Sequence, residues 1–207
     1  GISPQIKWDI HYDEKYVYVK DDWNFDLNAI DSKSKFVLAH SFVDKRTKKK
    51  CYEFLKQIKD NCYPQILKRY LSEKHKKNKN RLLFEFICDK FANYKTAFKK
   101  LFYRVAKLNF GVPIACKKYG LKHNNNPAER YNGKLDDRLK NIRSGFGSFE
   151  GAKSFMDMRR IIHNFVNPNQ QLHGKTPAEI AEIILPLKRN KLLNLIRFVR
   201  DSHLILS

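Results

Sequence analysis

The sequence predicts an α/β fold: a mixed five-stranded sheet, three antiparallel strands followed by parallel strands, flanked by helices. Three observations carry this expectation. Apolar and polar residues alternate over 7–43. The apolar period then lengthens to that of a helix from residue 47 onward. Beyond that helix a mostly apolar run, Leu82 to Cys88, ends on Asp89.

In the first strand Trp8, Ile10 and Tyr12 alternate with Asp9, His11 and Asp13, and Tyr16-Val17-Tyr18-Val19 extends it. Lys20-Asp21-Asp22 reads as a hairpin turn. Asn24 to Ile30 and Phe36 to Val43 follow, separated by the polar turn Asp31-Ser32-Lys33-Ser34. Sequential strands with such short connections predict an antiparallel meander. Over 47–62, Cys51, Phe54, Leu55, Ile58 and Cys62 fall on one face of an amphipathic helix. The basic stretch from Lys74 to Arg81 reads as a solvated loop or as an arm that contacts phosphate.

The run Leu82 to Cys88 is apolar on nearly both faces, as an interior parallel strand is. Asp89 then lies at the strand's carboxyl end, where open α/β sheets place their sites. An Asp there also serves as the cap of the next segment. A helix is expected over 92–103, and a short edge strand over 111–116, since Pro113 is disfavoured in a sheet interior.

The segment 124–143 carries the sharpest helical pattern. Asn126 suits the N-cap and Pro127 the first helical position. Ala128, Tyr131, Leu135, Leu139 and Ile142 form a core-facing stripe; Glu129, Asn132, Asp136, Lys140 and Arg143 lie on an adjacent polar one. A second helix is expected over 148–166, burying Ala152, Phe155, Met158, Ile162 and Phe165. A short helix after Thr176-Pro177 and a basic amphipathic helix over 189–203 complete the chain. One core over 1–185 and a C-terminal helical piece over 186–207 are the expected division.

The chain has 207 residues, with 42 Lys and Arg against 21 Asp and Glu, a net charge of +21. That excess draws a protein to polyanions; its bland reading is a solubilising surface. Cys51, Cys62, Cys88 and Cys116 form no C-x-x-C pair and no zinc spacing, so free thiols are expected. No apolar run approaches the length of about 18 residues that a membrane span needs, and no signal peptide is visible. The chain opens on Gly1 rather than Met, as an excerpt of a longer protein would.

Three acids stand out against the basic background: Asp13, Asp89 and Glu129. Each has an ordinary alternative. Asn126-Pro127-Ala128-Glu129 fits a capping box, and Thr176-Pro177-Ala178-Glu179 repeats that pattern away from any visible chemistry. Asp13 has Asp9 and Glu14 as competitors close by. The order of elements favours a shared site: three antiparallel strands, a helix, a parallel strand ending in Asp, then a helix bearing Glu. This is a ribonuclease-H-like layout.

The residues also resemble the catalytic core of DDE transposases and integrases, of the bacterial and archaeal insertion-sequence kind. Tyr12-Asp13-Glu14-Lys15-Tyr16 with Trp23 and Ala29-Ile30-Asp31 resembles the first block. Cys88-Asp89-Lys90 followed by Tyr94 resembles the second, with Cys88 where Thr is usual. His123-Asn124-Asn125-Asn126-Pro127-Ala128-Glu129-Arg130-Tyr131-Asn132, with Arg143-Ser144-Gly145-Phe146-Gly147-Ser148, resembles the third. Leu172 to Glu179 also matches.

The resemblance implies a Mg²⁺-dependent polynucleotidyl transferase and endonuclease. Asp13, Asp89 and Glu129 would be both catalytic residues and ligands of two Mg²⁺ ions, for which Mn²⁺ would substitute. Two such ions about 4 Å apart assist an in-line displacement. Cleavage at a transposon end and strand transfer into target DNA would follow without a covalent intermediate. Lys90, Lys122, His123, Asn125, Arg130, Lys134, Arg138, Lys140 and Arg143 would contact DNA, largely through phosphates. The resemblance further implies a homo-oligomer, no membrane, and a cytoplasmic, nucleoid-associated location. The family's N-terminal helix-turn-helix region has no room before residue 8. Two other readings stand beside it: a structure-selective nuclease of the same fold, and a domesticated relative that binds DNA without cutting it.

Overall fold

The structure is a computed structural model, and it describes residues 3–110, 126–142 and 145–206. Strands β1 (Ile10–Val19), β2 (Asp22–Asp31) and β3 (Val37–Val43) form the expected meander. Strands β4 (Glu85–Cys88) and β5 (Lys107–Phe110) add parallel to β1 and to each other, giving the order β3-β2-β1-β4-β5. The helices are α1 (Lys48–Glu73), α2 (Ala92–Phe102), α3 (Asn126–Leu139), α4 (Phe149–Ile161), α5 (Pro177–Ile180) and α6 (Lys191–Leu206).

Local chemistry explains the connections. Lys20 and Asp21 both take positive φ, 45° and 63°, as a two-residue hairpin matched to strand twist requires. Asp31 closes the β2–β3 turn. Its Oδ1 accepts from the amides of Lys33 and Ser34 and from the Ser34 hydroxyl, and its Oδ2 from the amides of Lys7 and Trp8. Thr176 and Glu179 form a reciprocal capping box at α5.

Strand alternation sorts the sheet into two faces. Ile10, Tyr12, Leu27 and Ala29 pack against α1 and α2, where the rings of Tyr12 and Tyr94 meet edge to face at 5.0 Å. Val17, Val19, Ile30 and Val37 pack against Ala128, Tyr131 and Leu135 of α3 and Ala152 and Met156 of α4. On this second face His40 stands between two carboxylates. Its Nε2 lies 2.5 Å from Asp26 Oδ1, and its Nδ1 lies 3.2 Å from Asp157 Oδ1. Burial alone would lower the His40 pKa. The Asp26 charge and hydrogen bonds to Asp157 and Asp26 reverse that and lift it to about 9.

Several expectations are corrected. The first helix runs to Glu73 rather than residue 62. Pro64 lies inside it on the exposed side, so its missing donor leaves a carbonyl near water while Ile66 extends the buried face. The edge strand is Lys107–Phe110, in register with Glu85–Cys88; the expected strand over 111–116 lies outside the described residues. On α4 it is Met156 that is buried, with Met158 47% exposed. The helix then widens into a π turn, Ile162–Val166, which swings Asn164 inward. There its side chain accepts from the Val37 amide and donates to the Val37 carbonyl. The C-terminal helix starts at Lys191. Cys51, Cys62 and Cys88 are free and buried, as expected, while Cys116 lies outside the described residues.

Candidate active site

Strand β4 pairs with β1 at only two positions, Ile10 with Phe86 and His11 with Ile87. Continuing that register by two residues brings Asp89 level with Asp13. Asp13 pairs with Asn28 of β2 and shares the face of Val17 and Val19, so it points toward α3. Helix α3 comes to meet it. Asn132 Nδ2 donates to Asp13 Oδ2 at 3.3 Å, and at 3.5 Å to the carbonyl of Glu14. Glu129, in the first turn of α3, lies one turn before Asn132 on the same flank.

Burial, and then the charges of Glu14, Asp89 and Glu129, push the Asp13 carboxyl up to about 7, against a lowering by the Glu14 amide. Asp89 and Glu129 therefore each lie within electrostatic reach of Asp13. Their chemistry suits a hard divalent cation: all donors are oxygens, and the repulsion that adds to burial in lifting Asp13 is one that such a cation relieves. Among the described residues, no group of three or more His, Cys, Asp or Glu side chains is close enough to form a ready-made cage.

The competitor Glu14 is occupied. It faces the other side of the sheet, where one carboxylate oxygen pairs with Arg46 and the other accepts from the Tyr94 hydroxyl at 2.9 Å. Arg46 itself lies 4.4 Å from the centroid of Phe91 and 4.7 Å from that of Phe25. Asp89 Oδ1 accepts from the Phe91 amide at 3.1 Å in a local turn, but Phe91 and not Asp89 is the N-cap of α2, so the capping expectation is corrected. Burial pushes the Cys88 thiol up to about 12, which leaves it a packing residue rather than a nucleophile.

Of the expected DNA contacts, Arg130, Lys134 and Arg138 are exposed on α3, Lys140 is exposed in the turn after it, and Lys90 is exposed beside Asp89. Lys140 pairs with Asp137. Lys122, His123, Asn125 and Arg143 lie outside the described residues. Asn132 was legible only as a member of the polar stripe. Its contact with Asp13 depends on how α3 crosses β1. Among the described residues, no helix is long and apolar enough to cross a membrane.

A family model described as a DDE domain, of the transposase kind, matches residues 7–168. No curated protein matches the chain. Among solved structures, the chain is similar to one in the simian T-cell lymphotropic virus intasome bound to PP2A regulatory subunit B56 gamma. The two are 13% identical with a TM-score of 0.56, over 87% of this chain and 55% of that one. This chain thus spans about half the length of that relative. It is also similar to the catalytic core of BIV integrase, at 15% identity and a TM-score of 0.48, over 84% of this chain and 92% of that one. The Mos1 mariner transposase catalytic domain gives 10% identity and 0.49, over 86% and 79%. The first likeness is one of fold, ribonuclease-H-like. The family model covers most of the chain, including Asp13, Asp89 and Glu129, and so this chain belongs to the DDE domain family of transposases.

Proposed function

We propose that this chain cuts and joins DNA strands at a site formed by Asp13, Asp89 and Glu129. The observation that carries the reading is the meeting of β1, β4 and α3: the strand register brings Asp89 level with Asp13, and Asn132 ties Asp13 to the helix that bears Glu129. Asp13, Asp89 and Glu129 would hold Mg²⁺, with Mn²⁺ as a substitute. When bound there, the metal supplies Lewis-acid stabilisation of charge on the reacting phosphoryl group.

The chain's own residues prepare this site. Asn132 fixes the orientation of Asp13. Arg46 and Tyr94 hold the Glu14 carboxylate on the other side of the sheet. Lys90 and the cations of α3 supply positive charge for the phosphate backbone, an attraction that falls steeply with salt. Transposon ends and target DNA are the substrates on this reading, and a multimer of this chain is the working unit.

The test is cleavage of labelled terminal-repeat DNA in Mg²⁺ by the protein, followed by capture of a target duplex. Cleavage and joining that are both lost in Asp89→Ala are expected. Undiminished activity in that variant sinks the assignment. Cleavage without joining in the unaltered protein would replace it with a structure-selective nuclease.

A further inference from the structure

Helix α3 presents different chemistry on the two sides of its buried stripe. One flank carries Glu129, Asn132 and Asp136, which face Asp13 and Lys15 of β1. The opposite flank carries Arg130, Lys134 and Arg138, one turn apart and turned away from the acids. This basic flank lines two adjoining clefts of about 450 and 630 Å³. Their far wall is the turn 167–171 after α4, with Pro168 and Asn169 shared by both clefts. Two further cations come from elsewhere in the chain, Lys35 from the β2–β3 turn and Arg159 from α4.

The clefts hold unbalanced charge. Among the described residues, none of Lys35, Arg130, Lys134, Arg138 and Arg159 makes a salt bridge. Asp137, the acid among the lining residues, is paired with Lys140. Arg159 Nε is buried without a hydrogen-bond partner among the described residues. Neighbouring groups register the crowding. Burial and then Arg130 hold Lys35 below its usual range; burial and then Arg138 do the same for Arg159. His163, on the cleft floor, falls to about 4 through burial, with Lys134 and Arg159 adding to it. Cations packed this closely repel one another unless an anion joins them.

We propose that the cleft between the basic flank of α3 and the turn 167–171 binds a DNA phosphodiester backbone at a place separate from the reacting phosphate. The proposal rests on the reading of this chain as a DNA-acting protein. It assigns phosphate contacts to Lys35 and Arg159, which no sequence motif marks, and it makes α3 a divider between the DNA being cut and a second DNA segment.

The test is fluorescence anisotropy of a labelled 20-base-pair duplex with the whole chain in EDTA, from 50 to 200 mM salt. Each phosphate contact removed lowers the slope of log affinity against log salt by about one. Lys35→Gln with Arg159→Gln should therefore flatten the slope by about two and weaken low-salt binding by roughly tenfold. Lys56→Gln, on α1 and paired with Asp60, should leave the slope unchanged. A double variant with unaltered slope overturns the proposal while the unaltered chain still binds. A chain that binds no duplex at all removes the DNA reading and this proposal with it. Arg159 is half-buried, so a second measurement avoids any dependence on how its variant folds. Gln171 is exposed at the rim of the cleft. Gln171→Cys carrying a photo-crosslinker should couple to the duplex; absence of coupling overturns the proposal.

Discussion

The Asn132 amide reaches 3.3 Å from Asp13 Oδ2, a hydrogen bond between α3 and β1 that joins residues 119 apart in sequence. It orients a half-buried carboxylate whose charge the neighbouring acids disfavour. Asn132→Ala should cost about 1 kcal/mol of stability and lower DNA cleavage by about tenfold. Asn132→Asp should lower cleavage further, because it sets a new charge against Asp13. Urea denaturation and single-turnover cleavage on the same preparations separate the two effects.

Asp13, with its carboxyl near 7, should make metal binding pH-dependent in a defined direction. Below that value a proton occupies the ligand; above it the ligand is free, and a cation competes more easily. The gain in melting temperature on adding Mg²⁺ should rise between pH 6 and pH 8. At about 100-fold excess over Kd the gain corresponds to about 2.7 kcal/mol. Asp13→Asn should abolish both the gain and its pH dependence, as differential scanning fluorimetry would show. Its strand cleavage should fall by about 10²-fold or more.

The buried imidazolium of His40 sets a second pH dependence, in stability. Its folded pKa of about 9 exceeds the ordinary histidine value of 6.5. The folded state therefore holds the extra proton more tightly. Its contribution is fully present below pH 6.5 and is lost as pH rises through 9. The shift corresponds to on the order of 3 kcal/mol. His40→Gln should lower stability most at pH 6 and least above pH 9. Asp157→Asn should reduce the same window, since it removes the charge facing Nδ1. Urea midpoints from pH 5 to 10 would measure both.

Two glycines should respond with opposite sign. Gly145 has a φ of +76°, and a Cβ there would meet the Tyr18 carbonyl oxygen at 2.7 Å. Gly145→Ala should destabilise by about 1–3 kcal/mol, because the strained turn cannot relax without losing its hydrogen bonds to Tyr18 and Lys20. Gly133 lies in the exposed middle of α3 with open space where a Cβ would go. Gly133→Ala should stabilise by up to about 1 kcal/mol through helix propensity. Thermal denaturation of both variants gives the comparison directly.

How far the sequence could be read depended on how local each signal was. The meander was legible because alternation and polar turns lie within a few residues of each other. Asp89 was legible because an apolar strand ended on it. The β5 strand was missed, since Lys107 to Phe110 are all half-buried and carry no alternation. The buried face of α4 was misassigned because Ala152 and Met156 are spaced four apart rather than stepping through Met158, and the π turn then changes the period where Asn164 enters the core. Glu14 and Asp13 could not be ranked without Arg46, which arrives from beyond β3. Lys35 and Arg159 were silent for the same reason: each acts through neighbours brought from a distant segment.

The shortness of β4 has a consequence for what this scaffold tolerates. Four residues long, it ends at Cys88, so Asp89 stands just outside the ladder. A β4 prolonged by even two residues would draw Asp89 into the ladder and cost its carboxylate the Phe91 amide. Insertions upstream, in the basic loop before Glu85, leave the strand's endpoint where it is. An insertion between Cys88 and Asp89 moves it. On the proposed reading, reactivity in this chain is thus secured by where a strand stops, and length variation is permitted on one side of that stop alone.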